Sequence, residues 1–356
     1  MAQTNNHFKN YTGIVSECVC AVKSNRVRIL HIRPLSIVSA EGEIALVEHL
    51  RRRARSLASP SLVLGIGDDC AIFRLDSRED LLFTTDLLLE DVHFRRATHR
   101  AEDAGHKALA RGLSDIAAMG GEPVAAFLSL ALPRKLPQKW VDRFMRGFLR
   151  LADEYGVSLA GGDTAESPTG VLADIIVLGS VPTGKAILRS GARPGDRIYV
   201  TGQLGASAAT LKLLLEGKSR IRPSNFRRHF YPVPRIEVGR FLREKNPAMI
   251  DISDGLSIDL AHICEESGVG AEILEQAIPK ATIGRPARVV DIRFGLHGGE
   301  DYELLFTVSR RKRVPSRIAG VAVTQIGQIT RTKKIVMINH HGVARELHPE
   351  GWEHFR

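Results

Sequence analysis

Cysteine is scarce in this chain of 356 residues, and the four present (Cys18, Cys20, Cys70 and Cys264) form no CxxC pair. That removes the usual sequence sign of a dithiol or zinc centre and suits buried or free thiols in a reducing cytoplasm. No apolar run reaches about 18 residues, so no transmembrane helix is predicted. The opening residues, Met1 to Asn10, are polar and do not read as a secretory signal. The GxxxxGK[ST] phosphate loop is absent, which argues against a P-loop nucleotide fold. Gly65-Ile66-Gly67 lacks the third glycine of a dinucleotide fingerprint, and no GxSxG elbow supports a serine hydrolase.

Positive charge is in surplus, at +10, but it is unevenly spread. Residues 1–60 hold nine basic and four acidic side chains, half of the surplus in a sixth of the chain. A solvated basic arm accounts for this better than a nucleic-acid surface.

What the chain does have is aspartate beside small residues at the ends of apolar runs. The stretches are Gly65–Asp69, Thr84–Asp86, Leu113–Asp115, Gly161–Asp163, Asp251–Gly255 and Gly298–Asp301. Carboxylates gathered without cysteine or clustered histidine suit a hard cation such as magnesium, which shares its coordination with water and phosphate oxygens.

Each residue also has an ordinary role. An aspartate after a strand commonly caps a helix or closes a turn; that role is the better one for Asp103, and it stands level with metal binding for Asp254. Asp115 is different. It lies within a helical segment, Glu102 to Met119, on or beside the apolar stripe, where a carboxylate is costly unless paired or metal-bound. Asp86 follows Thr84 and Thr85 at an expected strand end. His93 reads first as a satisfied histidine. Arg189 reads as a loop arginine or a phosphate clamp, and Trp352 as a tail anchor or an aromatic face for a cation.

Periodicity predicts helices over Glu43–Leu57, Gln138–Tyr155, Ala206–Leu215, Arg235–Arg243 and Leu256–Ser267. Strands are predicted at Val27–Ile32, Leu62–Ile66, Leu81–Thr85, Ala125–Leu132, Val157–Ala160, Val171–Gly179, Arg197–Thr201, Met249–Ile252, Tyr302–Val308 and Val323–Ile329, those at 157–160 and 171–179 being of buried type. The expected class is α/β or α+β, with a loose extension over 1–39 and domains over 40–183 and 184–356.

The ordered set GIGDDCA (65–71), Thr84-Thr85-Asp86, Val92-His93-Phe94, KALARGLSDIAAMG (107–120), GGDT (161–164), RSGARPGD (189–196), DISDGL (251–256), GGEDYEL (298–304) and GWEHF (351–355) resembles the thiamine-monophosphate kinase family. That family sits within the superfamily of aminoimidazole-ribonucleotide (AIR) synthetase, the PurM-like fold. The resemblance runs from about Gly42 onward and implies transfer of the ATP γ-phosphate to thiamine monophosphate. It implies a homodimer formed through the N-terminal domain, with the active site in the cleft between domains. By matching position it implies magnesium ligands Asp69, Thr84, Thr85, Asp86, Asp115, Asp163, Asp251 and Asp254, with Asp115, Asp86 and Asp163 at the chemistry. ATP contacts would be Gly162, Asp163, Arg189 and Ser253, and thiamine contacts His93, Glu300 and Trp352. Met145 stands where some members carry an aromatic near the nucleotide, which leaves the adenine contact open. Selenophosphate synthetase and the hydrogenase-maturation dehydratase are the alternatives within the superfamily. The first uses a reactive residue in a glycine-rich segment, which Cys18 and Cys20 lack, and the second a C-terminal cysteine that is not found here.

Overall fold

The computed structural model describes residues 61–74, 78–217 and 221–352, together with Val47, Glu48 and Arg51. The extension over 1–39, the strand at Val27–Ile32 and most of the helix over Glu43–Leu57 lie outside the described residues, as do Cys18, Cys20 and the end of the GWEHF motif.

The first lobe is a sheet of seven strands: β1 (Leu62–Leu64), β2 (Ala71–Phe73), β3 (Glu79–Leu89), β4 (Glu122–Pro133), β5 (Ser158–Gly161), β6 (Thr164–Ser167) and β7 (Leu172–Pro182). The order is β1-β2-β3-β7-β4-β5, with β6 also pairing β4. In β3 and β7 burial alternates residue by residue, the period-2 signature of a sheet with one covered face. The inner face packs on helix α1 (Ala101–Ala118), whose predicted stripe of Ala104, Ala108, Leu109, Leu113, Ile116 and Ala117 is fully buried. Helix α2 (Gln138–Glu154) lies across α1 at backbone contact. A methyl group placed on Gly105 would stand 1.9 Å from the Phe144 carbonyl oxygen, and one on Gly147 2.0 Å from that of Glu102. Only glycine permits that approach.

Two expectations are corrected. Asp86 is not at a strand end but in the interior of the eleven-residue β3, because the apolar run Leu87–Leu89 continues the pairing with β7. The strand at 157–160 is not buried: β5 is exposed along its length, since it is the edge beyond β4.

The second lobe holds β8 (Asp196–Thr201), β9 (Ala248–Asp251), β10 (Gly270–Leu274), the hairpin β11 (Thr282–Ile283) and β12 (Arg288–Val289), then β13 (Leu304–Ser309), β14 (Arg317–Ile318), β15 (Val321–Thr330), β16 (Ile335–Ile338) and β17 (Ala344–Glu346). Its main sheet runs β17-β16-β10-β15-β8-β13-β9, with β14 on β15. Helices α3 (Ala206–Leu215), α4 (Arg227–Phe230), α5 (Ile236–Arg243), α6 (Leu256–Ser267) and α7 (Ile292–His297) pack around it. Both sheets mix parallel and antiparallel pairs, an α+β arrangement.

The lobes share packing. Ile236, Val238 and Leu242 of α5, with Met249 and Phe306 of the second sheet, belong to the same buried cluster as α1. Helix α1 is therefore held from both sides. Its residues Lys107, Arg111, Ser114 and Asp115 reach side chains of the other lobe or of the cleft between the two.

Candidate active site

Three elements bring carboxylates together at one end of the cleft. Asp69 comes from the Gly65–Cys70 turn, Asp115 from α1 and Asp251 from the end of β9, and one oxygen of each lies within 4.8 Å of the others. The Thr84 hydroxyl donates to Asp115 in a short hydrogen bond. Ser114 donates to Asp251 at 2.5 Å. Arg189 donates to Asp69 at 2.9 Å through its guanidinium and to Asp68 at 3.1 Å through its backbone N–H.

That single guanidinium does not balance the charge. Burial, reinforced by Asp86, Asp251 and Asp69, pushes Asp115 well above the usual carboxylate range. Burial and then the charge of Asp69 push Asp251 up to about 8. Asp68 is pushed up to about 7 by burial and by Asp69, against the pull of Arg189. An all-oxygen donor set that resists its own ionisation fits a hard divalent cation, which would restore the charged form.

The other end of the cleft is charge-balanced. The buried Lys107 ammonium donates to Glu300 at 2.9 Å and to the His93 carbonyl at 3.1 Å. Arg111 lies 3.1 Å from Asp86 and 3.9 Å from Glu300. Ser207 lies within hydrogen-bond reach of Glu300 at 3.4 Å and of His229 at 2.8 Å. Burial alone would raise Glu300; the charges of Lys107, His229 and Arg111 overrule it and hold the carboxyl down at about 2. Glu300 and Tyr302 sit at φ 67° and 50°, values that side-chain-bearing residues adopt only under strain. Just before them, a methyl group placed on Gly299 would stand 2.5 Å from the Ser253 carbonyl oxygen, so the two backbones pass close there.

A cavity of about 730 Å³ joins the two ends. Of the residues singled out from the sequence, Thr85, Asp86, His93, Asp115, Asp251, Ser253, Asp254, Glu300 and Trp352 line it. Asp69, Thr84 and Arg189 stand behind that lining, bonded into the acidic cluster. The Leu89 N–H donates to His93 Nδ1, fixing the ring. Gly162 and Asp163 are not brought there: they form the exposed turn between β5 and β6. Met145 is absent from the lining and packs, half-buried, on the first core. Asp103 bonds the Arg100 N–H at 3.0 Å, the capping role expected of it.

Sequence reasoning missed Lys107, Arg111, Ser114 and Tyr302 as site residues. A signal was present for two of them. Lys107 and Arg111 precede Asp115 by eight and four residues, which puts all three on one face of α1.

Residues 67–181 match the AIR synthase related protein N-terminal domain, and residues 193–339 match its C-terminal domain. The two lobes and the cleft between them therefore define a protein of the AIR synthase related class. Within that class the chain belongs to the thiamine-monophosphate kinase family. It is 38% identical over 329 residues to the thiamine-monophosphate kinase of Salmonella typhimurium (strain LT2), covering 88% of this chain and 98% of that protein. It is 36% identical over 313 residues to that of Bacillus subtilis (strain 168), covering 85% and 96%. Among solved structures, AaThiL complexed with AMPPCP and TMP aligns at a TM-score of 0.75 and 33% identity, over 88% of this chain and 97% of that one. Hydrogenase maturation protein HypE in complex with ATP aligns at a TM-score of 0.65 and 19% identity, a likeness of fold.

Proposed function

We propose that this chain phosphorylates thiamine monophosphate to thiamine diphosphate at the expense of ATP, in the cleft between its lobes. The observation that carries this reading is the polarity of one cavity: cation-seeking carboxylates at one end, a balanced Lys107–Arg111–Glu300 group at the other. The acceptor is a phosphate monoester whose second pKa is about 6, so at neutral pH its oxygen is already largely ionised and no strong general base is needed. The barrier is repulsion between two anions. Magnesium, when bound, supplies the neutralisation and polarises the transferred group.

In this reading Asp69, Asp115 and Asp251 hold metal, with Thr84, Thr85, Asp86 and Asp254 beside them. Arg189 and Ser253 face the nucleotide. Lys107 and Arg111 fix Glu300, so that with His93 and Trp352 it positions the thiamine moiety; an ionised Glu300 and an aromatic face both suit a cationic ring. Gly162 and Asp163 enter as nucleotide contacts on the family resemblance alone. Transfer is direct and in line, with no phosphoenzyme; retention of configuration at the transferred phosphorus would contradict it.

The assay is the purified protein with ATP, magnesium and thiamine monophosphate, read by thiamine diphosphate formed. Absence of product with a folded protein would sink the reading.

The outer face of the first sheet supports a homodimer. Phe127 exposes 36% of its surface there, and Leu87, which also lines the cleft cavity, 47%, more apolar area on a sheet than solvent favours. A second copy laid on this face would cover it. Phe127→Arg is expected to convert the dimer to monomer in sedimentation, and a monomeric wild type would contradict the dimer. Among the described residues no helix is long and apolar enough to cross a membrane, and a cytoplasmic location is proposed.

A further inference from the structure

A second cavity, of about 440 Å³, lies away from the cleft, between the start of α1, the C-terminal half of α2 and the segment 223–233. Three guanidiniums converge in it on one phenol. The Arg150 and Arg227 guanidinium carbons each lie 5.9 Å from the centre of the Tyr231 ring. The Arg100 guanidinium donates to the Tyr231 hydroxyl, which in turn donates to Asp103.

The negative charge nearby is mostly spent. Asp103 pairs with Arg100 at 2.8 Å and caps α1. Glu154 is the one carboxylate among the lining residues, and among the described residues neither Arg150 nor Arg227 forms an ion pair. His106, in the wall, adds no charge. Burial pushes it below its usual value, the positive charges of Arg150 and Arg227 push the same way, and its Nε2 faces the Pro232 carbonyl at 2.8 Å.

Like charges brought together around a concave wall repel unless something negative lies between them. The planar fork of arginine fits the oxygens of phosphate, two bonds at a time. We propose that this cavity is a binding site for a phosphate-bearing anion, distinct from the cleft, with Arg150 and Arg227 as its principal donors and Arg100 and Tyr231 as its floor.

The test is calorimetric titration of the full chain without magnesium, so that the cleft lacks the ion that would hold a phosphate there. The probes are inorganic phosphate, pyrophosphate, ADP and thiamine diphosphate. Arg150 and Arg227 are exposed, so Arg150→Gln/Arg227→Gln should fold normally, checked by circular dichroism. At least one probe is expected to bind the wild type and to bind the double variant roughly tenfold or more weakly. Asp115→Asn should bind that probe as the wild type does. If phosphate or pyrophosphate binds best, the occupant is a free anion; if ADP or thiamine diphosphate binds best, the anion is carried by a cofactor. Equal binding by wild type and double variant, loss of binding in Asp115→Asn, or no binding of any probe would overturn the proposal.

Discussion

Asp251 and Glu300 are both carboxylates in the same cleft, and their environments drive them in opposite directions. Burial and neighbouring aspartates push Asp251 up to about 8, whereas Lys107, His229 and Arg111 hold Glu300 down at about 2 against burial. The difference lies in the partners, not the depth. One end is left short of positive charge, as an ion site should be; the other has its charges paired before any ligand arrives, with only Glu300 Oε1 lacking a hydrogen bond.

The largest expected break in this contrast is Lys107→Met. It leaves Glu300 without its closest cation, and removing one partner of a buried pair costs about 3–5 kcal/mol. Urea unfolding should show that loss, and Lys107→Met/Glu300→Gln should recover part of it. If the single variant is as stable as the wild type, the pair is not holding the substrate end.

Asp115→Asn should act the other way. Turnover should fall by more than the roughly 10–100-fold typical of residues one shell out from a metal, while the metal-free protein melts at a higher temperature at neutral pH because folding no longer has to protonate a buried carboxyl. Near-normal turnover would remove Asp115 from the ion site.

The remaining break is in pH. The metal-free folded chain keeps a proton on Asp251 up to about pH 8, whereas the unfolded chain loses it near its ordinary value of 3.8. Between those values the folded state binds more protons, so this group's effect is that stability falls as pH rises. Glu300 has the reverse sign: its contribution is present above its ordinary 4.5 and is lost as pH falls towards about 2. Melting curves across this range should show both limbs. Magnesium should flatten the upper one and leave the lower; an upper limb unchanged in Asp251→Asn would dissociate it from Asp251.

Much of this was legible in the chain. Asp115 stood out because a carboxylate beside an apolar helical stripe needs a reason, and helices Ala206–Leu215 and Leu256–Ser267 were bounded by their own periodicity. Other features were not legible. The run Leu87–Leu89 extends β3 past Asp86 only because β7 is there to pair with it. The exposure of β5 depends on its place at the sheet edge, which no local pattern encodes. Lys107 was not singled out, because its partner is 193 residues away. Met145 looked like a ligand contact by position, yet its surroundings are the first core.

Helix α1 carries both Lys107 and Asp115, eight residues apart on one face. At 1.5 Å per residue they are about 12 Å apart along the axis, and the helix is clamped by α2 on one side and α5 on the other. The separation is thus set by a rigid rod, not by loops. On the proposed reading of the site it acts as a fixed gauge: an acceptor shorter or longer than the distance between its ring and its phosphate end would be held with the reacting oxygen out of reach.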